Sequence, residues 1–97
     1  MLDGAGRIVS WNTSSETMIG YSSKEVVGKN YSIFFSKGEK DRKIPQKALA
    51  VALKKGSYMA EGIRVRKDGS HFWSRSFLTL VQGDEKGATM FVLITQD

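Results

Sequence analysis

Cysteine is absent from the sequence, and histidine and proline occur once each. The first absence excludes disulfides, thiolate metal sites, catalytic thiols and cysteinyl photochemistry, and it suits a reducing compartment. A lone His71 excludes zinc or redox-metal centres built on several imidazoles. No apolar run approaches the ~20 residues of a membrane span. Met1 to Arg7 lacks the charged, apolar and small-residue order of a secretory signal, so a cytoplasmic protein without a membrane partner is expected. No glycine-rich loop opens a helix in phosphate-binding style. Serine, histidine and aspartate all occur, but His71 sits beside a turn with no nucleophile elbow nearby, and Glu25 and Glu61 have no paired carboxylate in view. The domain is therefore expected not to be an enzyme.

What is present is a folding composition. Of 97 residues, 40% are hydrophobic and 26% charged, which excludes a disordered tail and gives length for one small domain over 1–97. The net charge of +5 is concentrated in Lys37, Lys40, Arg42, Lys43 and Lys47, opposed locally by Glu39 and Asp41. No aromatic residues interleave with these charges as single-stranded nucleic acid would require. A solvated connecting segment is expected there, and no nucleic-acid partner.

The chain changes its period midway. Asp3-Gly4-Ala5-Gly6 reads as a tight turn, and Arg7 to Trp11 as a short strand. Thr13 with Glu16, and Ser22 with Glu25, have capping-box spacing and predict two short helices closed by Gly20 and Gly28. Asn30 to Phe35 is apolar enough to be buried. Ile44 to Lys55 is the clearest helix, with Pro45 in its first turn, Ala48, Leu49, Ala52 and Leu53 on one face, and Gly56 as its stop. Beyond Gly56 the period becomes two. Strands are predicted over Tyr58 to Arg66, His71 to Val81 and Ala88 to Thr95. Lys67-Asp68-Gly69-Ser70 predicts a type I′ hairpin and Gly83 to Gly87 another turn. The fold class is α+β: an antiparallel sheet with short helices and one longer helix on a single face.

These pieces, in this order, resemble the PAS family over nearly the whole chain. The resemblance rests on Asp3-Gly-x-Gly-Arg-Ile-Val-x-Trp-Asn12, Gly20-Tyr21, Val27-Gly-Lys-Asn30, Glu61-Gly-Ile-Arg-Val-Arg-Lys-Asp-Gly-Ser-His-Phe-Trp73 and Ile94-Thr-Gln-Asp97. The segment Glu61 to Trp73 is especially similar to PAS domains of bacterial and archaeal sensor kinases. PAS domains usually begin with a central strand ahead of the Asp-Gly turn. Only Met1 and Leu2 could belong to it here, so that strand is expected to be largely missing, or borrowed from a neighbour.

Alternation places Phe72, Ser74, Ser76, Leu78 and Leu80 on one side of the long strand, and Trp73, Arg75, Phe77, Thr79 and Val81 on the other. Similarity to flavin-binding PAS domains implies that the first set faces the helices. It also implies that Arg64, Ser74, Phe91 and Thr95 occupy flavin-contacting positions and that Tyr31 stands where a photoactive cysteine would. The candidate pocket is thus Tyr31, Arg64, Ser74, Ser76, Phe91 and Thr95. Without the thiol no adduct chemistry is available. Haem-binding relatives carry a histidine on the long helix and Ile44 to Lys55 has none, so no cofactor is expected; non-covalent flavin is left open without being called for. Arg64, if it points inward, requires a partner: a domain carboxylate, an outward snorkelled tip, or an anionic small molecule.

On the opposite side Ile63, Val65, Trp73, Phe77, Val92 and Ile94 form a candidate interface too apolar to stand alone. A homodimer, or cover by flanking helices or an output domain of a parent protein, is expected. The family resemblance implies a sensory and signal-transducing module of a two-component sensor histidine kinase. It would bind a small ligand or partner and send the signal out through Asp97, which would pair with Arg66 or Lys67. The alternative is a ligand-free PAS dimerisation module.

Overall fold

The computed structural model describes residues 1–82 and 89–96. Four strands form one antiparallel sheet in the order β1-β4-β3-β2, with β1 at Leu2–Asp3, β2 at Ser57–Val65, β3 at His71–Gln82 and β4 at Thr89–Gln96. Between β1 and β2 run four helices: α1 (Thr13–Ile19), α2 (Ser23–Val26), α3 (Lys37–Asp41) and α4 (Ile44–Lys55), with a 3₁₀ turn at Tyr31–Phe34. The expected α+β architecture is therefore present, with β1 only two residues long. Among the described residues no helix is long and apolar enough to cross a membrane.

The core lies between the sheet and the helices. Ile19, Val26, Phe34, Leu49 and Ala52 from the helical side meet Leu2, Phe72, Leu78 and Phe91 from the strands. None of the shorter helices is long enough to persist alone, so burial of these side chains holds them in place. Trp11 anchors the entry to α1: its ring stacks on Phe34 at 5.3 Å and its Nε1 donates to the Tyr21 carbonyl at 2.8 Å.

Several local expectations change. Arg7 to Trp11 is not a strand; it makes only isolated bridges, Leu2 with Ile8 and Arg7 with Asn30. The reason is that its backbone bonds are split between two partners: Val9 N–H donates to the Met1 carbonyl, while Ile8 donates to Lys29 and accepts from Gly28. Asn12 rather than Thr13 caps α1, accepting from the Ser15 amide at 2.8 Å. The α2 box is present, with the Ser22 amide donating to Glu25 Oε1. The basic connecting segment contains α3, because Ser36 and Glu39 form a further capping box. Helix α4 has the predicted bounds, and Gly56 closes it in the left-handed region. Leu53, however, is 55% exposed and does not share the buried face.

The β2–β3 hairpin sits where Asp68-Gly69 placed it, but it is not type I′. That turn requires positive φ at two central residues, and only Gly69 has it, at 87°. Instead Gly69 N–H closes onto the Arg66 carbonyl at 3.0 Å and the Asp68 carboxylate accepts from Ser70 N–H at 2.8 Å. The turn packs back on the helices: Lys67 N–H bonds the Ile19 carbonyl at 2.9 Å, and Arg66 Nε bonds the Met18 carbonyl at 3.0 Å. The turn expected at Gly83 to Gly87, and Asp97 with its expected ion pair, lie outside the described residues.

Candidate functional site

The inner sheet face is built from every second residue of three strands. Register aligns Tyr58 with Leu78, Ala60 with Ser76, Gly62 with Ser74 and Arg64 with Phe72. On the other side of β3, Ser76 aligns with Thr95 and Leu78 with Leu93. Small residues in the middle of this face leave a cavity of about 30 Å³ under Phe34, Phe35 and Ala48. Its polar lining consists of Tyr31, Tyr58, Arg64, Ser76 and Thr95. An adjoining groove of about 230 Å³ shares Ile19, Phe34, Leu93 and Thr95 with it and is lined further by Met1 and Trp11.

Arg64 dominates the electrostatics. It is 7% exposed, and its guanidinium lies over the Phe35 ring, 4.0 Å from the centroid. Nη1 donates to the neighbouring Ile63 carbonyl at 3.0 Å and stands 3.6 Å from Glu39 Oε2. Burial pushes the guanidinium pKa down, and the nearby Glu39, Tyr31 and Tyr58 oppose that shift. A Cβ at Gly62 would meet Nη1 at ordinary van der Waals distance, 3.5 Å. The Tyr31 hydroxyl donates to the Pro45 carbonyl, tying the 3₁₀ turn to α4, and burial pushes its pKa up. The hydroxyls of Tyr58, Ser76 and Thr95 have no hydrogen-bond partner among the described residues.

Of the residues expected in the pocket, Tyr31, Arg64, Ser76 and Thr95 meet around this cavity. Ser74 and Phe91 lie on the same face and are buried, at 0% and 1% exposure, but do not line it. Ser74 sits two residues from Ser76 toward the hairpin, and its Oγ is the buried side-chain oxygen left unpartnered among the described residues. Phe91 is instead a core residue between Leu80 and Leu2. Sequence reasoning missed Glu39, Tyr58 and Phe35 as site residues. The spacing Ser36-x-x-Glu39 was a readable capping signal, and Tyr58 shares the parity of Arg64. The carboxylate reaching across to Arg64 had no sequence signal, because α3 and β2 are brought together only by the fold.

The opposite sheet face is apolar and outward. Ile63 pairs with Trp73, Phe77 with Ile94 and Thr79 with Val92. Trp73 is 57% exposed and Ile94 51%, while Val65, Phe77 and Val92 are half-buried. An ion pair between Glu61 and Arg75, at 3.6 Å, crosses the middle of this face.

The family profile described as PAS domain matches residues 1–97. The two-component system protein A of Emericella nidulans is 38% identical over 99 positions, covering all of this chain but 14% of its own length. The chain thus spans a small part of that curated relative. Among solved structures, the PAS domain of a protein from Colwellia psychrerythraea superposes with a TM-score of 0.86 at 25% identity, over 98% of this chain and 80% of that one. A domain of a sensory box sensor histidine kinase/response regulator from Geobacter sulfurreducens gives 0.82 at 17% identity, over 99% and 78%. A profile spanning the whole sequence, together with the close superposition on a solved PAS domain, decides the matter: this chain belongs to the PAS domain family.

Proposed function

We propose that this domain is the sensory element of a larger cytoplasmic two-component protein of the histidine-kinase type, reading a small polar molecule in the inner-sheet cavity. The observation that carries the reading is the convergence of buried Arg64 with the hydroxyls of Tyr58, Ser76 and Thr95 on a recess of the inner sheet face beside α4. Polar groups gathered in such a recess are disposed to bind a polar guest. The names of the Emericella and Geobacter relatives support a place in two-component signalling. Ligand occupancy shifts the helical cover against the sheet, and the change leaves through the chain ends to an output domain. The domain itself performs no catalysis.

At about 30 Å³ the cavity suits a molecule of a few heavy atoms, or a pair of waters. Flavin and haem exceed that space many times over, so the reading includes no such cofactor. Native mass spectrometry of freshly purified protein, with an absorption spectrum, tests it. A colourless protein carrying a small retained mass, or one stabilised thermally by small polar molecules, is expected. A stoichiometric flavin or Soret band overturns the reading, as does a protein that no small molecule stabilises.

The exposed Trp73, Ile94 and Ile63 favour a second reading, in which the domain also serves as an association module through its outer face. A second copy is the occupant that brings a matching apolar surface and a matching Glu61–Arg75 pair at once.

A further inference from the structure

We propose that the cavity is a receptor for a small carboxylate, and that Glu39 is its built-in competitor for Arg64. This rests on the small-molecule reading of the cavity and adds the chemical class of the ligand and the element released by it.

A guanidinium offers five N–H donors in a fixed fork that matches a carboxylate. Among the described residues Arg64 spends one of them in a hydrogen bond, to Ile63 O. Its one acidic neighbour among the described residues, Glu39, stands at 3.6 Å, beyond the 2.7–2.9 Å of a charge-assisted hydrogen bond. The pairing compensates charge without satisfying the donors. Tyr58, Ser76 and Thr95 add three hydroxyls free to donate into the same space. The lining therefore has an excess of donors, which one or two carboxylate oxygens would absorb.

Glu39 is held back from a closer approach by its other duty. Its Oε1 accepts from Ser36 Oγ at 3.0 Å and from the Ser36 amide at 3.4 Å, capping α3. A ligand carboxylate is not so constrained and can meet the guanidinium fork directly. When it does, the Glu39 side chain, 20% exposed behind the guanidinium, turns to water and retains its cap on α3. What is lost is the ion pair tying α3 to β2. Arg64 then stays neutralised throughout, by one carboxylate or the other, so exchange avoids an unpaired buried charge. The freed element is the one carrying Lys37 and Lys40, so ligand binding changes how a basic surface is presented.

The test is a ¹H–¹⁵N NMR titration of this chain with sodium acetate at constant ionic strength, against acetamide and ethylene glycol as neutral probes. Acetate should give saturable shifts at Ser76, Thr95 and the Lys37–Asp41 amides, with a dissociation constant of about 1 mM. Acetamide and glycol should leave the Lys37–Asp41 amides unmoved. Glu39→Gln should tighten acetate binding by about threefold or more, since the competitor loses its charge. Arg64→Met should abolish it, and Arg64→Lys, which keeps a charge for folding, should weaken it strongly. Absence of saturable acetate shifts overturns the proposal, as does acetamide matching acetate, or Glu39→Gln weakening binding. If the neutral probes bind and acetate does not, the carboxylate class fails while the small-molecule reading stands; if none of the probes binds, both fail.

Discussion

The guanidinium carbon of Arg64 stands over the Phe35 ring, 4.0 Å from its centroid. The ring thus supplies, from the helical side, part of the stabilisation that burial removes from the cation. Such contacts contribute about 0.5–2 kcal/mol depending on desolvation. Phe35→Leu keeps an apolar side chain of similar reach but removes the π face. It should destabilise the domain by about 1–2 kcal/mol, read as a shift of the urea midpoint at constant slope. An unchanged midpoint would show that the ring does not support the charge.

At the hairpin, Gly69 holds φ of 87° with open space around the position a Cβ would take. Any penalty there is conformational, not steric with neighbours. Gly69→Val should cost about 1 kcal/mol or more, because a β-branched residue resists the left-handed region, and Gly69→Asn should cost less. Thermal melts of the two variants that rank them the other way would refute this account of the turn.

The hairpin also shows where reading the sequence succeeds and stops. Asp68-Gly69 located the turn because glycine's freedom is a local property, while the turn type depended on how Arg66 and Lys67 dock on α1, a tertiary matter. Alternation sorted both faces of the sheet, including Trp73 outward and Ser76 inward, because strand parity is local. Helix α4 was legible from Pro45 to Gly56 for the same reason. The Arg7 to Trp11 strand failed because a strand exists only with a partner. Within the site, the meeting of Arg64 with Glu39 needed two segments 25 positions apart to be folded together.

Glu25 and Lys67 form an ion pair at 2.6 Å that clips α2 to the hairpin. Hydrogen bonds from Lys67 and then the Ser22 amide hold the Glu25 carboxyl at about 2. A depressed carboxylate contributes stability that is complete above its unfolded value of about 4.3 and is lost as pH falls through the folded value. Melting temperature against pH should therefore decline from pH about 4.3 toward 2 more steeply in the wild type than in Glu25→Gln. Both side chains are partly exposed, so the difference should be small and should shrink with added salt. Identical acid limbs would disprove the pairing.

Ser74 has the opposite character: a hydroxyl buried without a partner among the described residues. Removing such a group relieves a desolvation penalty. Ser74→Ala should leave stability unchanged or raise it by up to about 1 kcal/mol. A loss larger than that in chemical denaturation would mean the hydroxyl is bonded.

On the outer face, Trp73 and Phe77 lie four positions apart on β3, on the same side by alternation, and are joined by Ile63 and Ile94 from its neighbours. Covering such a patch contributes roughly 25 cal/mol per Å². Sedimentation should find a dimer at high concentration for the wild type and a monomer for Trp73→Ala combined with Phe77→Ala. A monomeric wild type, or a double variant that dimerises equally well, excludes this face as the contact.

The two-residue β1 has one more effect. Leu2 lies opposite Phe91, so the first and last strands touch side by side, and β4 then runs on to Gln96 alone on that flank. Entrance and exit therefore share one doorway. A fold built this way can be set into a longer chain without pushing the neighbouring parts asunder. Because Thr95 lines both the cavity and the groove, a guest in either would press on the door frame itself.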